Sequence, residues 1–456
     1  MTHAIRQQIL EVEWNGPESA AMRFQHRLSD WTYSLLMPAL SRVLDACVPA
    51  DVHLRVEHLV LNVGEVTIEN FDNELPELIA EALTKAIREK WTEIQGSLNP
   101  GGNIRNSHQL TAEAFAYFLQ TGLLPWAYRV PANLSWEEVV RQAMVKEPRT
   151  FERIVSKCFA EEVVRRRLTA QFSASFLLDL FYLSAPQKAF EVAEMLKILN
   201  EIAADKSLTA AVNPIVKQLW QLIWQQIGTG QTVDLSQVVK AVLKNNPVAI
   251  QLILKATLRR WSRKSHPAEA TRLPIQTESA TKIKPESVGL LLPDEIYIEN
   301  AGLVLLHPFL PQYFEGILCA VDDQLIWPEK AALALHYLVK GQAKAAEYEL
   351  TVAKLLCNIP LSQPLPITAS WTEHDTEESE ALLMTVIKYW SALQNSSIGL
   401  LRAEFLQRAG KLSRREGGWQ LQVERKDFDI LLEQLPWGFS TFKLPWMEDV
   451  LSVEWI

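Results

Sequence analysis

The sequence predicts a mainly α protein with short strands. Its α+β architecture consists of a small N-terminal α+β domain, a helical middle and a C-terminal α+β docking domain. Three observations lead there. Apolar residues recur at steps of three and four along most of the 456 residues, the spacing of one helical face. Runs that alternate apolar and polar residues are short and confined to the two ends, which places the strands there. A chain of this length exceeds one ordinary core, and a linker-like stretch at 262–285 offers a boundary.

The N-terminal domain is expected over 1–95. Ile9 to Trp14 sets Leu10, Val12 and Trp14 against Glu11 and Glu13, a half-buried strand that Gly16-Pro17 ends. From Glu18, the residues Ala21, Phe24, Leu28, Trp31 and Leu35 lay one stripe along a helix that Pro38 kinks or breaks. Val52, Leu54 and Val56 share a strand face before the phase shifts to Leu59, Leu61 and Val63, so a bulge or turn is expected near Glu57-His58. Leu75, Leu78, Leu83 and Ile87 restore the helical period between Phe71 and Trp91. In this β-α-β-α order the helices cover one face of a short sheet. Gly96 to Asn106, with Pro100-Gly101-Gly102, is a turn-rich connector.

Residues 107–261 form the helical middle. A short helix from Ala114 stops at Gly122, and Leu124-Pro125-Trp126 follows. Proline fixes its own φ and disfavours helix in the residue before it, so this phrase sets an indole at a defined helix exit. Such a corner serves packing or docking of a partner; both readings are open. Trp220 and Trp224 lie one helical turn apart. Val238, Val242, Ile250, Leu254 and Leu258 continue the period after breaks at Gly228, Gly230 and Pro247. No a/d heptad is sustained. One continuous helix over 135–261 would span ~190 Å at ~1.5 Å per residue, and the glycines and prolines predict several ordinary helices instead.

Residues 262–285 read as a basic Pro/Ser/Thr linker, without the aromatic interleaving of a polyanion-binding strip. Residues 286–456 form an acidic, Trp-rich C-terminal domain that opens on the apolar stretch Ile298 to Pro311. Helices are expected over Ala331–Val339, closed by Gly341, and over Glu347–Cys357, Glu377–Leu393 and Leu400–Ala409. Trp419, Leu421 and Val423 alternate with polar residues in one strand, and Leu451, Val453 and Trp455 do so in another; pairing of the two is a natural closure. A short helix through Phe428, Leu431, Leu432 and Leu435 lies between them. The Leu-Pro-Trp phrase returns at 435–437 and 444–446.

Several chemistries find no support. Lys and Arg number 13 against 24 Asp and Glu from Glu286 onward, net −11, which leaves 32 against 30 before it. The C-terminal block is therefore a poor partner for phosphate backbones, and no nucleic acid is expected. No apolar run reaches the ~18 residues of a membrane span. The start lacks a secretory pattern, so a cytoplasmic site of synthesis and assembly is expected. Cys47, Cys158, Cys319 and Cys357 are too scattered for a disulfide framework. Gly228-Thr229-Gly230 and Gly410-Lys411 each lack the remainder of a nucleotide-binding loop. The histidines lack partners at metal-ligand spacing, so neither metal nor cofactor is expected. His307 with Cys319 or Cys357 would be a nucleophile pair, but His307 precedes Pro308 in an apolar stretch and reads as a structural histidine. No catalytic residues are assigned, and the chain is not expected to be an enzyme.

The C-terminal phrases Glu299-Asn300-Ala301-Gly302-Leu303, Leu306-His307-Pro308-Phe309-Leu310, Lys354-Leu355-Leu356-Cys357, Leu401-Arg402, Phe405-Leu406-Gln407-Arg408, Leu435-Pro436-Trp437-Gly438 and Leu444-Pro445-Trp446 occur in a set order. His58-Leu59-Val60-Leu61-Asn62-Val63-Gly64 and Phe118 to Trp126 mark the N-terminal part. Together they resemble the tape measure proteins of phage-tail-like contractile injection systems. The resemblance implies a structural protein that occupies the lumen of the inner tube, limits tube and sheath length, and docks at the baseplate or spike end. Its partners would be inner tube, baseplate and spike proteins, and a homo-oligomer is expected. Candidate docking or motif residues are Trp126, Asn300, Gly302, His307, Pro308, Phe309, Trp437 and Trp446, with core packing as the alternative role of each indole. The competing reading is a cytoplasmic assembly factor or adaptor of the same machine that is not retained in the particle.

Overall fold

Helical periodicity and short alternating runs become, in a computed structural model, a mainly helical chain with nine short strands among the described residues. Those residues are 3, 5, 8–15, 17–47, 52–68, 70–96, 104–131, 133–203, 206–244, 251, 255, 293–367, 369–394 and 396–455. The 262–285 linker, Pro100-Gly101-Gly102, and Ile250, Leu254 and Leu258 lie outside them. The chain divides into two units, Met1–Glu113 with Ala127–Arg129, and Ala114–Trp126 with Val130–Ile456.

In the first unit, helices Glu18–Trp31 and Met37–Cys47 are joined by one π turn, Thr32–Leu36. Pro38 has no N–H to donate to the carbonyl four residues back, and the widened turn just ahead of it relieves the misfit without ending the helix. Helix Phe71–Gly96 turns Phe71, Leu75, Ile79, Leu83 and Ile87 onto Trp31, Leu36 and Leu40. Phe24 meets Phe71 edge-on at 4.7 Å between ring centroids.

Among the described residues, two expected strands carry no ladder. Ile9–Trp14 pairs with no described strand; Leu10 packs on the helical core and the Trp14 ring lies 5.3 Å from Phe24. Leu59, Leu61 and Val63 also pack on that core while Val60 is 74% exposed. Alternation separated Leu59, Leu61 and Val63 from Val60 correctly, but Val12 of the first run is 47% exposed; the helices take the inward side chains, and among the described residues no second strand lies alongside. The strand that does form, β1 (Val52–Leu54), pairs antiparallel with β2 (Ile104–Asn106) from the expected connector.

Among the described residues of the second unit, seven helices run from Trp136 to Lys244. Their ends follow local chemistry. Ser135 and Glu138 form a capping box, Ser173 caps the helix Ala174–Ser184, and Pro148 opens another helix. Gly230, at φ 70°, follows the helix Lys206–Gly228. Trp220 and Trp224 stack at 5.7 Å, both buried, with Phe181 against them. Phe115 contacts Phe151, Phe172 and Phe176 in a second aromatic knot.

The C-terminal block carries a five-stranded sheet. In chain order its strands are β3 (Glu295–Ile298), β6 (Gly410–Arg415), β7 (Gly418–Val423), β8 (Thr441–Phe442) and β9 (Val450–Trp455), and they lie in the order β3-β6-β7-β9-β8. A separate hairpin pairs β4 (Ala320–Val321) with β5 (Gln324–Leu325). The two tryptophan strands do pair, in parallel, with Trp419 opposite Leu451 and Leu421 opposite Val453. Strand β6 stands where helix Leu400–Ala409 was expected to end. The helical turns stop at Leu406, and Gly410 begins a strand whose Leu412 and Ser413 are buried.

A buried ion cluster ties the helical middle to this block. Arg167, on helix Glu162–Gln171, and Glu347 have fully buried side chains and meet at 2.9 Å, and Lys354 reaches the other carboxylate oxygen at 2.6 Å. Arg167 also donates to the carbonyls of Leu119, Gln120 and Ser362, and Lys354 to those of Leu361 and Gln363. Gln171 donates to Leu365 O and accepts from Glu347 N. Gly122, at φ 81°, lets the 119–122 backbone close over the pair, since a Cβ there would lie 2.6 Å from Glu347 Oε1. Burial pushes the Lys354 ammonium below its ordinary pKa, and Glu347 opposes that shift. Removing one partner of a buried pair leaves an uncompensated charge. Glu347→Gln, which strands two cations, is therefore expected to lower stability by ~3–5 kcal/mol in urea unfolding, and Lys354→Met, which leaves a neutral pair, by less.

Candidate functional site

Ile298 to Pro311 threads the C-terminal core as a nine-residue 3-10 helix, Ala301–Phe309, in which Ala301 to Leu306 are all buried. Such runs are uncommon beyond three or four residues because their hydrogen bonds are poorer; here the surrounding groups hold both ends. Asn300, itself buried, donates from Nδ2 to Glu349 O at 2.9 Å, and Ala301 N donates to Arg408 O at 2.9 Å. A Cβ on Gly302 would lie 1.6 Å from Phe405 O, so only glycine permits this backbone approach.

Four of the remaining motif residues, His307, Pro308, Phe309 and Trp437, come together at the far end of that helix. His307 Nδ1 lies 3.0 Å from Val304 O, and its ring stacks on Phe442 at 4.0 Å. Burial lowers its pKa. Pro308 is exposed, and Phe309 sits edge-on to Trp437 at 5.0 Å and 6.3 Å from Tyr389. Tyr389 is 65% exposed, so Tyr389, Phe309 and Trp437 form an aromatic row that reaches the surface. Trp437 donates from Nε1 to Leu305 O at 3.0 Å. Trp446 donates to Leu356 O at 2.7 Å and packs on Phe314. Trp126 stands apart from these two, 36% exposed, with its ring 6.2 Å from Tyr297 of β3.

Sequence reasoning missed the polar groups that lock this assembly. Arg408, fully buried, donates to Glu404 O, Glu424 O and Asp429. Asp429 also accepts from Lys426 N at 2.7 Å and Trp455 Nε1 at 2.9 Å, which pins β9 to the 3-10 helix Asp427–Gln434. Lys330 meets Asp375 at 2.6 Å, and Tyr313 shares a hydrogen bond with Ser379. A signal was present for Arg408, which closes the Phe405-Leu406-Gln407-Arg408 phrase.

Burial also decides the titratable groups. The Cys319 thiol is pushed up to about 11 and Cys357 well above its ordinary value, so both stay protonated at neutral pH. Among the described residues no group of three or more His, Cys, Asp or Glu is placed to hold a metal ion. His336 is 2% exposed, and burial with Lys340 nearby lowers it to about 4.

Two outcomes follow from this packing. Gly302→Ala is expected to destabilise the chain at or above the upper end of ~1–3 kcal/mol in denaturant unfolding, because backbone must move. The unfolded His336 ring protonates near pH 6.5 and the folded ring only near 4. The unfolded state therefore binds more protons across that interval, and stability falls as pH drops through it, by about 3 kcal/mol in all. Unfolding followed between pH 7 and 4 checks this, with a shallower slope expected for His336→Leu.

No curated protein and no solved structure matches the chain. No described helix is long and apolar enough to cross a membrane. A family model does match, described as contractile injection system tape measure protein, and it spans residues 2–455. That span takes in the threaded motif, the Leu-Pro-Trp corners, the buried ion cluster and the N-terminal unit alike, and the chain therefore belongs to the contractile injection system tape measure protein family.

Proposed function

We propose that this chain is a structural component of its injection system that sets the length of the inner tube and sheath. In this reading it assembles in the cytoplasm, lies in the tube lumen of the finished particle, and docks at the baseplate or spike end through its C-terminal block. The observation that carries the reading is the family match across both ends of the chain. Exposure supports it: Tyr389 of the C-terminal block is 65% exposed, and Trp126 is exposed where Trp437 and Trp446 are half-buried. Trp126 is thus the favoured docking contact of the three corner indoles, with inner tube, baseplate or spike proteins as partners and several copies acting together. Nucleic acid has no place in it.

The short helices of the middle favour a second reading. Among the described residues, the longest helix between 136 and 244 has 23 residues, about 35 Å at ~1.5 Å per residue, which suits an assembly factor or adaptor not retained in the particle. Two measurements separate the readings. Helical repeats inserted at the Thr229-Gly230 turn are expected to change particle length in proportion, as seen by electron microscopy; unchanged lengths in fully assembled particles would contradict length setting. Mass spectrometry of washed particles is expected to detect the chain, and its absence would favour the adaptor.

A further inference from the structure

The hairpin β4–β5 breaks two local rules, one on each side. Before it, the helix Leu310–Gly316 ends in a Schellman arrangement, with Leu318 N donating to Glu315 O at 3.0 Å and Cys319 N to Phe314 O at 2.7 Å. The residue that must turn left-handed there is ordinarily glycine or asparagine. It is Leu318, at φ 58°, with its side chain 70% exposed. After the hairpin, the helix Pro328–Lys340 takes Trp327 as its N-cap, with no side-chain capping bond where Ser, Thr, Asp or Asn would supply one. Trp327 is 62% exposed. Between them Val321 and Ile326 are 53% and 50% exposed. Folding gains nothing from these choices, and local rules broken at one place are expected where a site works on something else.

The hairpin itself is firmly built. Asp322 and Asp323, at φ 48° and 60°, form its two-residue turn. Ile326 N and Trp327 N both donate to Cys319 O beneath it. Its surroundings carry one sign of charge. Residues 315–329 hold Glu315, Asp322, Asp323 and Glu329 and no Lys or Arg. Glu378 Oε2 lies beside Gly316, and the adjacent Lys330 is taken up by Asp375. A second copy would bring the same acidic rim, and an anionic lipid surface would repel it.

We propose that this hairpin is a docking wedge for a protein partner that presents an apolar cleft rimmed by Lys or Arg, with Leu318 and Trp327 as the anchors. The wedge refines the reading of the C-terminal block as an anchor and rests on it. The test replaces Trp327 with a photo-crosslinking phenylalanine analogue in cells that assemble particles, with the exposed β6–β7 turn residue Glu416 labelled the same way as control. Expected is a crosslink from position 327 to one identified particle protein, mapped to apolar residues flanked by Lys or Arg. Leu318→Gly is expected to raise Tm, because it relieves the left-handed leucine, yet to lower crosslink yield on the order of tenfold, as loss of an interface anchor does. Asp322→Asn with Asp323→Asn keeps the turn chemistry and is expected to lower the yield without lowering Tm. Crosslinks no stronger than the control, crosslinks to a second copy of the chain, or flotation with phosphatidylcholine vesicles that Trp327→Ser abolishes would each overturn the wedge. Whether the chain is present in washed particles reports separately on the anchor reading.

Discussion

The second unit depends on one buried arrangement, the carboxylate of Glu347 held between Arg167 and Lys354. Two cations share one anion with almost no access to water, and the excess positive charge is spread over five backbone carbonyls. Desolvating three charges is costly, so such a cluster adds little net stability when complete. Its effect is on specificity. Every donor nitrogen of Arg167 and Lys354 has a fixed partner, and the partnered groups come from the Ala114–Thr121 end of one helix, from helix Glu162–Gln171 and from the chain between Glu347 and Leu365. A shift of any of the three strands a charge in a dry interior. The helical middle and the C-terminal block therefore share a single arrangement.

The threaded 3-10 helix works on the same logic with neutral groups. Its glycine admits backbone to backbone, its asparagine and the carbonyl of Arg408 hold the entry, and the indole of Trp437 takes the Leu305 carbonyl near the exit. Ordinary residues could fill the volume but could not satisfy these carbonyls. The ordered phrases through which the chain resembles the family are therefore largely the parts of one packing device. Surface chemistry is left to a few side chains at its edges.

Much of this was legible in sequence, and the gaps have physical causes. The strands of Trp419 and Leu451 declared themselves by alternation, and their pairing is observed. Alternation alone does not report a partner strand, which is why Leu59, Leu61 and Val63 pack without a ladder. Strand β6 reads as a polar, basic run because sheet pairing, and not apolar content, places it. Arg167 was hidden inside Arg165-Arg166-Arg167, which reads as a solvated patch, yet it sits with Val164, Leu168 and Gln171 on the buried face at helical spacing. Lys354 stood more openly, the single charge in an apolar helix. What no period reveals is that two such charges, 187 positions apart along the chain, find the same carboxylate.

A fold fixed this way has a definite consequence for opening. If the cluster makes the middle and the C-terminal block one cooperative body, they open together. Native-state hydrogen exchange of the intact chain, resolved by amide, measures this most directly. The expected result is one common opening free energy for helices Glu162–Gln171 and Thr351–Leu356 and a single denaturant dependence for both. Two separate opening free energies, with either helix exchanging while the other stays protected, would contradict the account.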